Sequence, residues 1–486
     1  MNPLDKLRVK YTPVMGLEVH VELNTKSKMF CGCANNWFGE KPNTHTCPVC
    51  LGLPGALPVS NRIAIESCIK IGMALNCHIP LLSKFDRKNY FYPDLAKGYQ
   101  ISQYDQPFAE HGYIVLSSGK KIGITRAHME EDTGKLLHET VDSKHVSLID
   151  FNRSGVPLVE IVTDPDFVNA AEVKEYLQKL QQIVRYLGVA RADMDKGEMR
   201  LEPNISLRLA RHPQRSEGSK DSSPMARDDK PFELPNYKVE VKNINSFNFV
   251  EKAITYEIDR QSEILDRGEV PAQETRGWDE DKKKTISQRS KEEAADYRYF
   301  PEPDIPPFLW TQDFIETLKK DIPELPDAKV TRFVKDYHLS VYNAEILTRS
   351  KEMADYFEEA VKICLPELVS GSKKENKEMP KQVRHDINPT KLANTIINKK
   401  VDIEKVLPAA LVKDIVTSSV VATIDVGELN KIIQSVLSEN EKAVLEYKAG
   451  KEMVVMFLFG SVMKRLSVKI DPQLLKSALI AQLKEM

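Results

Sequence analysis

Apolar and polar residues alternate from Val14 to Leu23 and again from Lys121 to His128, the period of a half-buried strand. One clear helix interrupts this strand-like region. Val173, Tyr176, Leu177, Leu180, Ile183, Val184 and Leu187 share a helical face, and Gly188 stands where the helix should stop. Strands with few covering helices predict an α+β fold, with a mixed or antiparallel sheet forming a cradle over residues 1–300. From Arg211 to Pro235 the chain is rich in Ser, Pro, Asp and Lys without any period, which predicts a surface loop. After Pro301 to Pro307 the pattern changes to helices separated by polar turns, giving a helical domain over 301–405 and a small all-helical tail over 406–486. Asp425 and Glu428 resemble a capping box at a tail helix whose apolar face is Leu429, Ile432, Ile433, Val436 and Leu437.

Composition narrows the class. The chain has 486 residues, 41% of them hydrophobic, enough for two to four domains with sizeable cores. No apolar run approaches the roughly 20 residues of a membrane span, and the first eleven residues lack the apolar stretch of a signal peptide, so a cytoplasmic protein is expected. The net charge of −2 means that any nucleic-acid contact must come from a local patch. Between Lys373 and Lys400 eight Lys and Arg stand against three acids, which reads first as a solvated linker and second as a phosphate contact.

Three constellations carry chemistry. Cys31-x-Cys33 and Cys47-x-x-Cys50 bring four thiols into two close pairs, the arrangement that a tetrahedral structural Zn²⁺ needs; reduced buried cysteines and a redox pair are the rival readings. Cys68, Cys77 and Cys364 are expected in the core. Acids and histidines gather in Glu18-Val-His20-Val-Glu22, His128 to Asp132, Glu160, Glu198 and Glu202. On a strand, Glu18, His20 and Glu22 project from one face, and carboxylates with an imidazole suit Mg²⁺ bridging nucleotide phosphates, although any single Glu is more simply a solvated charge. Phe85 to Asp94 and Tyr99 to Tyr104 interleave cations, amides and aromatics, which would let Arg87 and Lys88 meet phosphates while rings such as Tyr90 shape a pocket. No P-loop or Gly-x-Gly-x-x-Gly motif is present, so ATP would be held in another way.

Taken together, Gly16 to Leu23, Cys47 to Gly55, Lys84 to Asp94, Arg126 to Asp132, Val239 to Phe247, Gln273 to Arg276 and Asp296 to Pro303 resemble the B-subunit (GatB/GatE) family of aspartyl/glutamyl-tRNA amidotransferases. The resemblance implies ATP-dependent amidation of glutamate or aspartate on a misacylated tRNA, in a heterotrimer with an amidase (A) subunit that supplies ammonia and a small linker (C) subunit. It implies a catalytic set of Glu18, His20, Lys88, Glu131, Glu160, Arg200 and Glu202. Nucleotide binding is expected at Arg87, Lys88, Tyr90 and Arg153, and Mg²⁺ at Glu18, His20, Glu131 and Glu160. Glu202 stands where many members have Asp, and the loop from Arg211 to Pro235 is longer than usual. Two rival functions are a non-catalytic zinc-stabilised RNA-binding protein and a free-standing amide ligase for a small metabolite.

Overall fold

In the computed structural model, which describes residues 10–210, 234–290, 297–364, 388–419, 426–466 and 472–485, the alternation at the start of the chain becomes a central strand. This strand, β1 (Tyr11–Glu22), buries Met15, Leu17, Val19 and Val21 on one side and sets Glu18, His20 and Glu22 on the other. The remaining strands in chain order are β2 (Leu82–Ser83), β3 (Asp86–Asn89), β4 (Tyr99–Ser102), β5 (Ala109–Val115), β6 (Lys121–Glu131), β7 (Lys135–Val141) and β8 (Lys144–Asp150). They continue with β9 (Pro157–Thr163), β10 (Met199–Leu209), β11 (Val239–Lys242), β12 (Glu274–Asp279), β13 (Lys284–Ser290), β14 (Phe300–Pro301) and β15 (Phe308–Leu309).

Eight of these make one sheet in the order β13-β12-β11-β10-β1-β9-β6-β5, antiparallel throughout except for the parallel pair β11 and β12. The sheet is therefore mixed, as the α+β expectation has it. Its apolar face is covered by helices α1 (Arg62–Ala74), α2 (Ala170–Tyr186) and α3 (Phe247–Asp266), whose Ile65, Cys68, Tyr176, Leu180, Val250 and Ile254 join Val19, Ile161 and Leu201 in one core. Each large apolar side chain fully buried there contributes roughly 1.5–3 kcal/mol. Helix α2 is the helix expected from the periodicity at 173–187: Asn169 caps its start by accepting from Glu172 N, and Gly188 takes φ +68° just beyond its end. Outside this sheet stand the three-stranded β14-β3-β4, the pair β15-β2 and the exposed ribbon β7-β8.

Residues up to Pro326, including α4 (Gln312–Lys320), form one compact unit, with Ile305, Ile315 and Leu318 in the core of the large sheet. The second unit, from Asp327 onward, is helical among its described residues. Phe333, Phe357, Val361, Leu392 and Leu411 anchor one of its clusters, within α5 (Pro326–Tyr337), α6 (Val341–Leu347), α7 (Lys351–Cys364), α8 (Pro389–Asn398) and α9 (Pro408–Ser419). The other centres on Ile433, Leu437, Leu458 and Leu479, within α10 (Val426–Glu439), α11 (Glu441–Lys448), α12 (Val454–Arg465) and α13 (Pro472–Glu485). Leu429, Ile433, Val436 and Leu437 are buried as their spacing predicts. Asp425, Asp296, most of the loop from Arg211 and the segment from Lys373 to Asp386 lie outside the described residues.

Candidate functional site

Antiparallel register decides which side chains meet on the face of the sheet opposite the helices. His20 stands across from Glu160 on β9 and Arg200 on β10, and Glu160 stands across from His128 on β6, so four ionisable residues form one row over four strands. One step along, Glu18 faces Glu202, and Asn204 faces Glu240 on β11. The small sheet adds a third side. Lys88 on β3 pairs with Gln100 on β4, and Lys88, Gln100 and Ser102 all reach Glu130, the residue after next from His128.

Distances divide this face into two clusters. His20 Nε2 lies 3.5 Å from Glu160 Oε2 and 4.0 Å from Glu130 Oε2, while His128 Nε2 lies 3.4 Å from Glu160 and 3.6 Å from Glu130. Most of these separations exceed a good hydrogen bond, and His20 Nδ1 is buried with no partner. Ligand atoms of His20, Glu130 and Glu160 all fall within 4.8 Å of one another, as do those of Glu18, Glu202 and Glu240. Carboxylates and one imidazole at this spacing fit a hard divalent cation.

The carboxylates make this a place that attracts positive charge, which protons on the imidazoles supply and which a metal ion would have to displace. Burial alone would depress His20, but Glu160, Glu202 and Glu130 outweigh it and push it up to about 9. Burial opposes ionisation of Glu130, yet Lys88 and His128 hold it down at about 2. Glu160 is likewise held well below the usual carboxylate range, against its burial, by His128 and His20. Lys88 stays far above the ordinary lysine value because Glu130 and Glu160 outweigh its burial. Glu18 goes the other way: burial and then Glu160, Glu240 and Glu202 raise its pKa. Lys242 sits 2.9 Å from Glu202, Lys238 4.0 Å from Glu18, and Asn204 donates to Glu18 at 2.9 Å. Three crowded carboxylates remain with a deficit of positive charge.

Of the residues singled out in the sequence, the structure brings together Glu18, His20, Lys88, Glu160 and Glu202. Glu131 points elsewhere, its carboxylate taken by Lys97 and by the amide of Ile101 at 3.0 Å, and Glu130 stands beside His20 and Glu160 in its place. Arg87 is closed off by a bidentate pair with Glu302 (2.7 and 2.8 Å) and a bond to Asp304, with its guanidinium 4.2 Å from the Tyr99 ring centroid. Tyr90 packs edge-on against Tyr297, whose ring also lies 5.3 Å from Lys88 Nζ. Arg153 binds the carbonyls of Thr133 and Gly134 and lies 3.5 Å from Asp132. Arg200 bridges Asp132 and Glu22, which Trp37 also meets through its indole N–H at 3.1 Å. Sequence reading placed Glu130 in the acidic constellation but gave the metal role to its neighbour Glu131, and it assigned no role to Glu240, Gln100, Ser102 or Lys242. The period of two from His128 to Glu130 was the available signal for choosing Glu130.

The four Cys31, Cys33, Cys47 and Cys50 sulfurs lie within 4.8 Å of one another beside this face. A thiol hydrogen bond from Cys31 holds Cys50 down at about 4, and Lys28, itself fully buried, lies 3.7 Å from the Cys50 sulfur. Gly155, beside Cys50, takes φ +86°, a backbone conformation that residues with a side chain rarely adopt. Four convergent sulfurs fit a closed tetrahedral ion. Cys68 and Cys364 are buried as expected, and Cys77 packs against the core.

Residues 13–316 match the model of the GatB/GatE catalytic domain and residues 351–483 that of the GatB domain. The chain is 43% identical over 491 residues to the B subunit of aspartyl/glutamyl-tRNA(Asn/Gln) amidotransferase from Carboxydothermus hydrogenoformans, covering 96% of this chain and 97% of that protein. It is 44% identical over 501 residues to the protein of the same name from Caldanaerobacter subterraneus subsp. tengcongensis, covering 98% and 100%. With that of Thermotoga maritima it shares 41% identity over 490 residues, covering 96% and 98%.

Proposed function

The chain belongs to the GatB/GatE family, the B subunits of ligase-type tRNA-dependent amidotransferases, and from that membership we propose that the charged face of its sheet converts misacylated tRNA with the use of ATP. The substrates in this reading are glutamate esterified to tRNA(Gln), aspartate esterified to tRNA(Asn), or both. A carboxylate resists ammonia because it offers no leaving group. Attack of its oxygen on the γ-phosphorus of ATP, with departure of ADP, gives an acyl phosphate. Ammonia then adds to the carbonyl carbon, inorganic phosphate leaves, and the nitrogen loses a proton.

The observation that carries the reading is the meeting of Lys88, His20, Glu130 and Glu160 from four different strands on one face. Mg²⁺ held by His20, Glu130 and Glu160, and by Glu18, Glu202 and Glu240, would supply positive charge for phosphate oxygens that otherwise repel an incoming carboxylate. The chain's own contribution is fixed charge. Lys88 remains an ammonium at neutral pH, and Gln100 and Ser102 hold Glu130 in place. Arg200 ties β10 to Asp132, which keeps the row of His20 and Glu160 aligned. The four thiols suit Zn²⁺ in a structural role, bracing the loop from Cys31 to Cys50. Ammonia comes in this reading from an amidase (A) subunit, joined through a small linker (C) subunit.

Amide formation on mischarged glutamyl- and aspartyl-tRNA, with the chain assembled with A and C subunits, glutamine, ATP and Mg²⁺, tests the proposal. Product from wild type and its loss in Glu130→Ala and Lys88→Ala is the expected result. ATP consumption without tRNA or partner subunits would favour a free-standing ligase instead. Undiminished product from Glu130→Ala would remove the charged face from the chemistry.

A further inference from the structure

Lys26 and Lys28 stand two residues apart shortly after β1, yet Lys26 is exposed while the whole side chain of Lys28 is buried. The cysteine loop places it there. Lys28 N donates to the Cys33 carbonyl at 3.0 Å and Ser27 pairs with Ala34, so the segment that carries Cys31 and Cys33 folds back over this residue. Among the described residues, its Nζ donates only to the carbonyls of His45 (2.7 Å) and Phe151 (3.4 Å) and to the sulfur of Cys50 (3.7 Å). No carboxylate answers it. An ammonium taken out of water is costly unless an anion stands beside it, and two carbonyls supply no net charge. The neighbouring centre has the opposite excess, because Zn²⁺ held by four thiolates is a dianion. Cys31, Cys33 and Cys47 are partly open to water, which screens that charge, but Cys50 is 3% exposed. Its sulfur accepts from Cys47 N at 3.2 Å and from Lys28.

We propose that Lys28 is the counter-charge of the four-cysteine centre, a positioning residue that does not touch the metal but offsets the charge gathered on the buried Cys50 sulfur and so makes the site keep its ion. The inference rests on the zinc reading above and deepens it, and it stands apart from the reaction assigned to the sheet. A brace for the loop would need only the two carbonyl bonds, and a neutral donor would make them without burying a charge. The ammonium also lies where the cysteine loop meets the charged face. Beyond Phe151, Ser154 Oγ donates to the Cys50 carbonyl at 3.1 Å. Gly155 N donates to the Asp132 carbonyl and Asp132 N to the Val156 carbonyl, each at 2.8 Å. Loss of the Lys28 charge should therefore be felt first at the metal, and at the face only through this turn.

Zinc transfer from the full chain to a chelator of known affinity, at one fixed pH, gives the zinc dissociation constant of wild type, Lys28→Met and Lys28→Arg. Thermal midpoints are taken with zinc bound and after its removal. Lys28→Met should weaken zinc binding about 10- to 100-fold, the range for groups that support metal ligands. It should lower the midpoint of the zinc-loaded protein while leaving that of the zinc-free protein equal or higher, because removal of zinc from wild type leaves the ammonium buried beside no dianion. Lys28→Arg keeps the charge and should recover much of the affinity. If Lys28→Met does not fold, Lys28→Gln, which keeps a donor without the charge, carries the same comparison. Zinc held as tightly by the neutral variant as by wild type, with the loaded and zinc-free proteins losing stability alike, overturns the proposal and leaves Lys28 a brace. Wild type that takes up no zinc counts against the metal reading itself and the counter-charge falls with it, whereas zinc-bearing wild type with an unaffected neutral variant removes the counter-charge alone.

Discussion

The same sheet buries two groups of charges, and they are built differently. At one edge Glu257 of α3 and Glu274 of β12 meet Arg260 and Arg276, with N–O distances of 2.6 to 3.2 Å for the closest pairs, and Thr285 and Ser287 also donate to the two carboxylates. Two acids balance two guanidinium groups, and Glu257 has no exposed surface. At the centre, His20, His128, Glu130 and Glu160 stand 3.4 to 4.0 Å apart, one imidazole nitrogen has no partner, and a second trio of carboxylates lies beside them. Buried charges with every donor and acceptor satisfied are a structural device. Charges held beyond good hydrogen-bond distance, with a buried imidazole nitrogen left unpaired, are arranged for something that comes from outside.

Glu160→Gln should break the open group most strongly. It keeps the shape and removes one negative charge from the row, so amidation should fall about 10³-fold, roughly 4 kcal/mol in the barrier. The thermal midpoint of the N-terminal unit should fall too, because the buried His20 and His128 lose the carboxylate that favours their charged forms, with relief of repulsion on Glu18 and Glu130 offsetting part of the loss. A loss of activity smaller than tenfold would mean that the row is structural after all. The closed group makes the opposite forecast. Glu257→Ala strands Arg260 and Arg276 inside the protein, and unfolding measured in urea should show a loss of about 3 kcal/mol or more, while activity per folded molecule stays near wild type. A tenfold fall in kcat/KM with stability intact would erase the distinction between the two groups.

Much of the open group was legible because it lies along strands. A period of two puts Glu18, His20 and Glu22 on one face before any partner strand is known, and the helix over 173–187 could be read from its apolar stripe and terminal glycine. What could not be read was register. His20 meets Glu160 through a pairing across 140 residues of sequence, whereas the exchange of Glu131 for Glu130 follows from the period of two, which puts Glu130 with His128 on one side of β6. Strand-like reading stopped at His128, three residues before β6 ends at Glu131. The closed group was invisible for the same reason, since Glu257 and Arg276 come from a helix and a strand with no shared motif. The partners of Arg87 were equally hidden: Glu302 and Asp304 lie more than 200 residues away, so a cation that looked available in the sequence is engaged in the fold.

A third cluster, in the helical unit, lies between the two types and should give the smallest effect. Lys329, 6% exposed, holds Asp355 and Glu358 at 3.0 Å each, and Arg332 lies 2.7 Å from Glu358. Its bonds are short, as in the closed group, but Asp355 is partly open to water. Burial raises the Glu358 carboxyl, yet Lys329 and Arg332 outweigh it and leave it below the usual glutamate value. A carboxyl whose native pKa lies below its unfolded one adds stability that is present above the unfolded value and is lost as pH falls through the native value. The unfolding free energy of the helical unit, measured in urea, should therefore decline between about pH 5 and pH 3, by an amount on the order of 1 kcal/mol because water screens the pair. Lys329→Met removes the dominant partner and should flatten that decline. If wild type and Lys329→Met lose stability in parallel over this window, the short bonds of this cluster carry no linkage, and bond length alone does not mark a charge group as structural.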